Sequence, residues 1–272
     1  MSGNNYYYGQ GRVYLSPCIN GVANAWRWVG DVGELTVELT HETQYQKQSI
    51  NGRIGNIDNH IVSQEGVMKA VWFDRSPANL ALLLYGKNVV RSARAISETL
   101  RPGVKAGGRY TLEYSSVWDV SISGLTAGTD YTVDERWGAI EFLKTPIVQP
   151  VTVKYKHAGN TSIPLLNEPP HKVALRYEGV NLAENEAPVL VELFRLQFDP
   201  VGVIDLINND SALSGLEVQA DVLLDISRSP HDVFGQYGRY VICPVMDSSS
   251  GTLTITTTTA GYGGEITTIY PK

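Results

Sequence analysis

The groups in this 272-residue chain that could do chemistry are five histidines, two cysteines and a scatter of carboxylates. Metal and catalytic sites need such groups at set spacings, and those spacings are missing. His41, His60, His157, His171 and His231 stand far apart, and the zinc-protease pattern H-E-x-x-H does not occur. His41-Glu42 and His231-Asp232 are adjacent pairs. Neighbours on a strand point to opposite faces, which argues for solvated side chains rather than catalytic dyads. Cys18 follows Pro17 and Cys243 precedes Pro244. Two cysteines so far apart exclude a disulfide scaffold and a cysteine zinc site, and a small apolar role is favoured over a reactive thiol. No G-x-G-x-x-G, P-loop or G-x-S-x-G motif is present. Asn160-Thr161-Ser162 and Asn209-Asp210-Ser211 fit the glycosylation pattern. The polar start MSGNNYYYGQGR lacks the apolar stretch of a secretory leader, so both are read as chance matches. Glu217, Asp221 and Asp225 alternate outward along one expected strand. At about 3.4 Å per residue they spread over more than about 20 Å, too far to share a calcium ion. No enzyme, cofactor or metal site is expected.

Composition narrows the class. The chain carries 22 Lys+Arg against 28 Asp+Glu, a net charge of -6, with 26 Gly, 13 Pro and 15 Tyr. The acidic balance argues against a general nucleic-acid binder, which needs a basic patch or stripe. No run of about 18 apolar residues predicts a membrane span.

The elements read mainly as strands. Leu35, Val37 and Leu39 alternate with Glu34, Thr36, Glu38 and Thr40, the mark of a strand with one buried and one wet face. His41–Asn59 is polar throughout and reads as a long loop. His60–Phe73 reads as a strand again, broken near Gly66. Ser76-Pro77 opens a short helix with Leu80, Leu83 and Leu84 on one face and Gly86 as its stop. From 103 to 160, short alternating strands separated by turn residues suggest a small sandwich or barrel. That stretch holds six basic and six acidic residues, so the net charge lies in the flanking parts. Lys172–Tyr177, Ala187–Phe198, Gly202–Leu206, Leu216–Ile226 and Tyr237–Val245 read as further strands. The tail from 247 to 272 is Ser/Thr/Gly-rich and reads as an extended arm.

The succession of these pieces resembles the major tail tube protein of long-tailed (siphovirus-type) bacteriophages. The residues that carry the resemblance are GELTVELTHE leading into the polar stretch, SPANLALLLYG, VLVELFRLQF and LEVQADVLLDI. Within 103–160, DYTVDERWGAIEFL followed by VTVKYKHA is similar to a hairpin common in phage tail proteins. The resemblance covers most of Val13–Met246. It implies a mainly β protein: a tail-tube-type β-sandwich with one short flanking α-helix, plus an inserted small Ig-like β-sandwich domain. The expected division is 1–102 and 161–246 for the tube domain, 103–160 for the insert on the outer tube surface, and 247–272 for the arm.

By the same resemblance, the protein is a non-enzymatic structural virion protein with no cofactor. Copies would form hexameric rings that stack into a tube through which DNA leaves the particle. Partners would be the chain itself, a tape measure protein and a tail terminator, with no membrane involved. Assembly would take place in the bacterial host cytoplasm, and the finished protein would sit in the virion tail. A DNA conduit must not hold DNA, because six to ten phosphate contacts already give strong, salt-sensitive binding. An acidic lining repels phosphate within a screening distance of about 8 Å. Strand alternation makes Glu34, Glu38, Glu217 and Asp221 the candidate lumen residues. His41, Glu42, Gln44, Tyr45, Lys47 and Arg53 are the candidate inter-ring contacts in the expected loop. Arg12, Arg27, Arg53 and Arg75 are assigned to neighbour contacts or the outside. The alternatives are another tail, baseplate or capsid-decoration β protein, or a carbohydrate-binding sandwich using Trp26, Trp28, Trp72, Trp118 and Trp137.

Overall fold

The computed structural model describes residues 6–19, 22–50, 53–209, 212–230, 235–243, 252–258 and 265–271. In chain order the first elements are β1 (Gly9–Ile19), β2 (Val22–Ala23), β3 (Arg27–Trp28), β4 (Val32–Ile50), β5 (Arg53–Trp72) and α1 (Pro77–Leu83). The strands β6 (Val89–Arg91), β7 (Arg94–Thr99), β8 (Arg109–Thr111), β9 (Val117–Ile122), β10 (Tyr131–Asp134), β11 (Ala139–Phe142), β12 (Thr152–His157) and β13 (Asn160–Ser162) follow. The chain continues with β14 (Lys172–Asn181), β15 (Ala187–Phe198), β16 (Leu216–Val222), β17 (Gly238–Ile242), β18 (Thr252–Thr258) and β19 (Glu265–Pro271). The protein is mainly β, with antiparallel sheets and, among the described residues, a single helix. It divides into two compact units, 1–85 with 168–272, and 86–167.

The first unit is built on a nine-stranded sheet of order β2-β1-β14-β15-β16-β5-β4, with β17 also paired to β15 and β3 to β1. β16 shows why it forms. Leu216, Val218, Ala220 and Val222 are buried while Glu217, Gln219 and Asp221 face outward, a clean period of two. Across the register Leu216 meets Trp72, Ala220 meets Met68 and Val222 meets Gly66, so the two strands deliver one apolar face. Val13, Leu15, Leu175, Leu196 and Phe198 complete the core with α1's Leu82 and Leu83. Trp72 packs edge-on against Phe198 with ring centroids 5.3 Å apart.

The helix is held by a buried asparagine that its leucine pattern does not reveal. Asn79 donates to the carbonyls of Val29 (2.7 Å) and Asp74 (2.9 Å) and accepts from Arg27 (2.6 Å). Ser76 stands at the N-cap position with no side-chain cap bond, although Pro77 occupies the first helical position as expected. Leu82 and Leu83 are the buried leucines, with Leu80 and Leu84 half-buried. Tyr85 rather than Gly86 takes the left-handed turn after the helix, with φ 49°.

Several expectations are corrected. His41–Asn59 is not a loop: outside 51 and 52, it is the paired continuation of β4 and β5, from His41↔Gln64 to Ile50↔Arg53. Polar residues on both sides removed the alternation that would have marked it as strand. β5 is unbroken at Gly66, where the missing side chain serves close packing. A Cβ there would lie 2.9 Å from Val222 Cβ and 3.2 Å from Leu39 Cδ2. Gly202–Leu206 forms no strand; Val201 bonds to the carbonyl of Leu83, and Val203 and Leu206 are exposed. The last strand of the sheet spans Gly238–Ile242, where Tyr237–Val245 was expected, and residues 244 and 245 of that expectation lie outside the described ones. β16 ends at Val222, so the alternation stops before Leu224, which is exposed, and Asp225, which is buried. In the 247–272 tail β18 and β19 pair with each other, and the remaining residues lie outside the described ones.

The second unit has its own core. The sheets β10-β11-β8 and β7-β12-β9 are both antiparallel, and β13 pairs with β6. Phe142, Ile140, Tyr131, Val153, Tyr155 and Ile122 from these strands form one buried cluster. The unit begins at 86, before the expected 103, because β7 pairs with β12 along its whole length and β6 with β13.

Candidate assembly surface

The register of β4, β5 and β16 places the candidate lumen carboxylates on one face. Glu34 and Glu217 both pair with Val71, and Glu38 and Asp221 both pair with Val67. Directly paired residues project to the same side of a sheet, so the four carboxylates form two rows one strand apart from β5. Between the rows Thr36 and Gln219 flank Lys69, whose ammonium reaches Glu38 at 3.1 Å. Glu42, Asp58 and Glu65 continue the same side toward the end of the hairpin. All four candidates are exposed.

The expected inter-ring residues lie on the hairpin rather than on a loop, and they divide between its sides. Glu42 (paired with Ser63) and Gln44 (paired with His60) share the carboxylate side. His41, Tyr45 and Lys47, paired with Gln64, Asn59 and Asn56, take the other. Arg53 pairs with Ile50 at the far end. β16 accompanies β5 only over Gly66–Trp72, so 41–50 and 53–64 form a ribbon of two strands. The outer edge of β4 has no strand beside it among the described residues.

The apolar side of this sheet opens into a groove of about 1050 Å³. Its walls come from β4 (Val37, Leu39), β1 (Val13), β14 (Leu175, Tyr177), β15 (Val191, Leu193) and β17 (Tyr240). The sheet therefore curls until strands at its two ends face each other. Leu39 is 74% exposed although it sits on the core side of β4. Tyr7 and Tyr8 form one lip, and Asn181 holds them there. Its side-chain oxygen accepts the Tyr8 N–H at 2.8 Å, and its amide donates to the Tyr6 carbonyl at 2.7 Å. Burial, and then contact with the Tyr7 hydroxyl, push the Tyr177 phenol well above the ordinary tyrosine range. On the other side of β14, β15 and β17, Glu192 accepts from Arg176 (2.7 Å) and Arg239 (2.6 Å) and ties the three strands together.

Asp225 is buried but accepts from the Ser227 hydroxyl (2.6 Å) and Arg228 (3.1 Å). Burial, then the Asp225 carboxylate, push the Cys18 thiol up, away from the thiolate a nucleophile needs. Cys243 is half-buried. His41 and His60 fall on opposite sides of the ribbon, while His231 and Asp232 lie outside the described residues. In the second unit His157 stacks on Tyr114 at 3.8 Å, and Arg91 lies 5.4 Å from that ring's centroid and donates to its hydroxyl at 2.6 Å. Trp72 is core, Trp26 and Trp28 belong to the first unit, and Trp118 and Trp137 to the second. Among the described residues no cluster of potential ligands could hold a metal ion, and no helix is long and apolar enough to cross a membrane.

A family profile described as protein of unknown function UCP028589 matches residues 6–241. The chain belongs to that family. The match runs through both compact units and stops just before the end of β17. No curated protein matches the sequence.

Proposed function

We propose that this member of the UCP028589 family is a structural subunit that builds a tube from copies of itself, the tail tube of a long-tailed bacteriophage. In this reading the first unit is a tail-tube-type β-sandwich and the second an inserted Ig-like domain. Six copies close a ring, rings stack, and DNA passes along the bore during ejection. A tape measure protein and a tail terminator would meet the tube during assembly, and the finished protein would reside in the virion tail.

The observation that carries the reading is the exposed carboxylate face of β4, β5 and β16 next to the unpaired outer edge of β4. A long free edge is a template for pairing with another chain, and natural monomers usually blunt it. Edge-to-edge joining of successive copies would carry the carboxylate rows around a closed wall. A wall of that sign repels a phosphate backbone instead of gripping it.

Negative-stain imaging of the concentrated protein tests the proposal. Hollow tubes or rings are the expected result. A particle that stays monomeric at every concentration, or one that binds glycans as a monomer, would overturn it.

A further inference from the structure

We propose that the turn around Ile147 and Val148 in the second unit is a docking tip for an anionic lipid surface. The tip is independent of the carboxylate sheet and needs no assembly of copies. Strands β7 and β12 run side by side from Arg94↔His157 to Thr99↔Thr152. The chain enters the unit through β6 and leaves through β13, next to the first of these ends. At the other end Ile147 is 100% exposed, Val148 80% and Leu143 half exposed. Aliphatic side chains left in water add nothing to the core beneath them.

The backbone around this apex is already supplied with partners. The Gln149 side-chain oxygen accepts the N–H groups of Gly103 (2.7 Å) and Val104 (3.0 Å). Its amide donates to the carbonyls of Val104 (2.8 Å) and Pro146 (3.4 Å). The Ala106 N–H goes to the Thr145 hydroxyl, that of Gly107 to Phe142, and those of Leu143 and Lys144 to Asp130. Pro146 and Pro150 have no N–H to satisfy. Backbone on both sides of the apex can therefore give up water at low cost, which entry into an apolar layer requires.

Charge selects the partner. Arg101 and Lys105 are exposed beside the Gln149 clamp, and among the described residues neither is ion-paired. Lys144 reaches Asp130 at 2.8 Å. The whole unit, 86–167, holds ten Lys+Arg against seven Asp+Glu, leaving twelve against twenty-one for the rest of the chain. Protein partners are gripped mainly through Trp, Tyr and Arg, with Val and Leu under-represented. An aliphatic apex with cations behind it suits a bilayer, whose headgroups attract Lys and Arg while the apex enters the acyl boundary. Such a contact lies on the surface and spans nothing, but it departs from the expectation that no membrane is involved.

Flotation of the whole chain with vesicles tests the tip, since tubes without lipid do not float. The protein should float with vesicles of mixed phosphatidylglycerol and phosphatidylcholine, and bind pure phosphatidylcholine at least about tenfold more weakly. Ile147→Asp with Val148→Asp should lower binding to the mixed vesicles at least about tenfold, with an unchanged circular dichroism spectrum. Ile147→Leu with Val148→Leu should keep it. No flotation of the parent, or equal flotation of the Asp variant, would overturn the tip. Binding of both proteins to soluble polyglutamate without flotation would point to an acidic protein and overturn the lipid assignment. Negative-stain images report on tubes separately, so the tip and the tube can each fail alone.

Discussion

Glu168 donates its backbone N–H to the carbonyl of Tyr85 at 2.8 Å, so the chain leaves and re-enters the first unit at one point. Everything between, 86–167, packs around a core of its own. Replacing 86–167 with a short Gly/Ser linker should therefore leave the first unit folded and able to assemble. Circular dichroism and negative-stain images of the shortened protein check this. Loss of β structure would mean that the first unit depends on the second for folding.

Asn181 is expected to control the tyrosine lip. Asn181→Ala removes acceptors for the Tyr8 and Ala183 amides and the donor to Tyr6. Each such hydrogen bond contributes about 0.5–1.5 kcal/mol. Denaturant unfolding should show a loss of that order, and the Tyr8 amide should lose its exchange protection. A change below about 0.5 kcal/mol would show that the lip is held by something else.

Charge reversal probes the carboxylate face. Glu38→Lys with Asp221→Lys changes two exposed positions that both flank Val67. Folding stability should move by less than about 1 kcal/mol, as exposed charges typically do. Assemblies of the variant should retain double-stranded DNA at low salt and release it as salt rises, whereas the parent protein should not retain it. Equal retention by both would remove the electrostatic role assigned to this face.

Buried tyrosines, Tyr155 and Tyr177 the most strongly shifted, contribute to the alkaline limit of stability. Burial, then its hydrogen bond to Glu98, push Tyr155 well above the ordinary tyrosine range, and Tyr177 is raised chiefly by burial. A raised folded-state pKa gives stability that is complete below the unfolded value of about 10 and lost as pH climbs above it. On the acid side Asp130 is lowered by Lys144 and the Thr126 amide, and Asp134 chiefly by Arg109. Their contribution is present above the ordinary carboxylate value of 3.8 and disappears as pH falls below it. Unfolding curves across pH should thus be flat between about 5 and 9 and fall at both ends. Tyr155→Phe should shallow the alkaline fall.

Replacing the central indole tests the core. Trp72→Ala empties the space beside Phe198 and should cost about 3–5 kcal/mol. Trp72→Phe should cost distinctly less, since the indole N–H has no acceptor and its removal takes away an unpaired buried donor. Equal losses in the two variants, measured by chemical denaturation, would contradict that.

How much was legible before the structure depends on where polarity and burial agree. β16 could be read residue by residue because one face is core and the other is solvent, and the Ser76-Pro77 start placed α1 correctly. The carboxylates Glu34, Glu38, Glu217 and Asp221 follow from that same alternation, although only the register shows that they share β5 as their axis. The ribbon was missed because neither of its sides is buried. The usable signal there was Asn51-Gly52, a dipeptide strongly favoured between paired strands. Asn79, Asn181 and Asp225 were hidden for another reason. Each is a polar residue whose burial depends on partners distant in sequence, such as Val29 for Asn79 and Tyr8 for Asn181. β6 and β7 were overlooked because they are short and mostly exposed.

The pairing of β4 with β5 skips Val62 and then Ile57, so two extra residues sit on the same strand of the ribbon. A hairpin that is wet on both sides has little to stop one strand creeping past the other. These insertions work like teeth in a ratchet: a one-step slip would bring each unpaired residue opposite the wrong neighbour. They also add local coiling to the ribbon. The tip would then arrive at whatever it meets with a fixed rotation, so deleting the unpaired Val62 would leave the same partners facing each other but take away that local twist and turn the tip to a different angle.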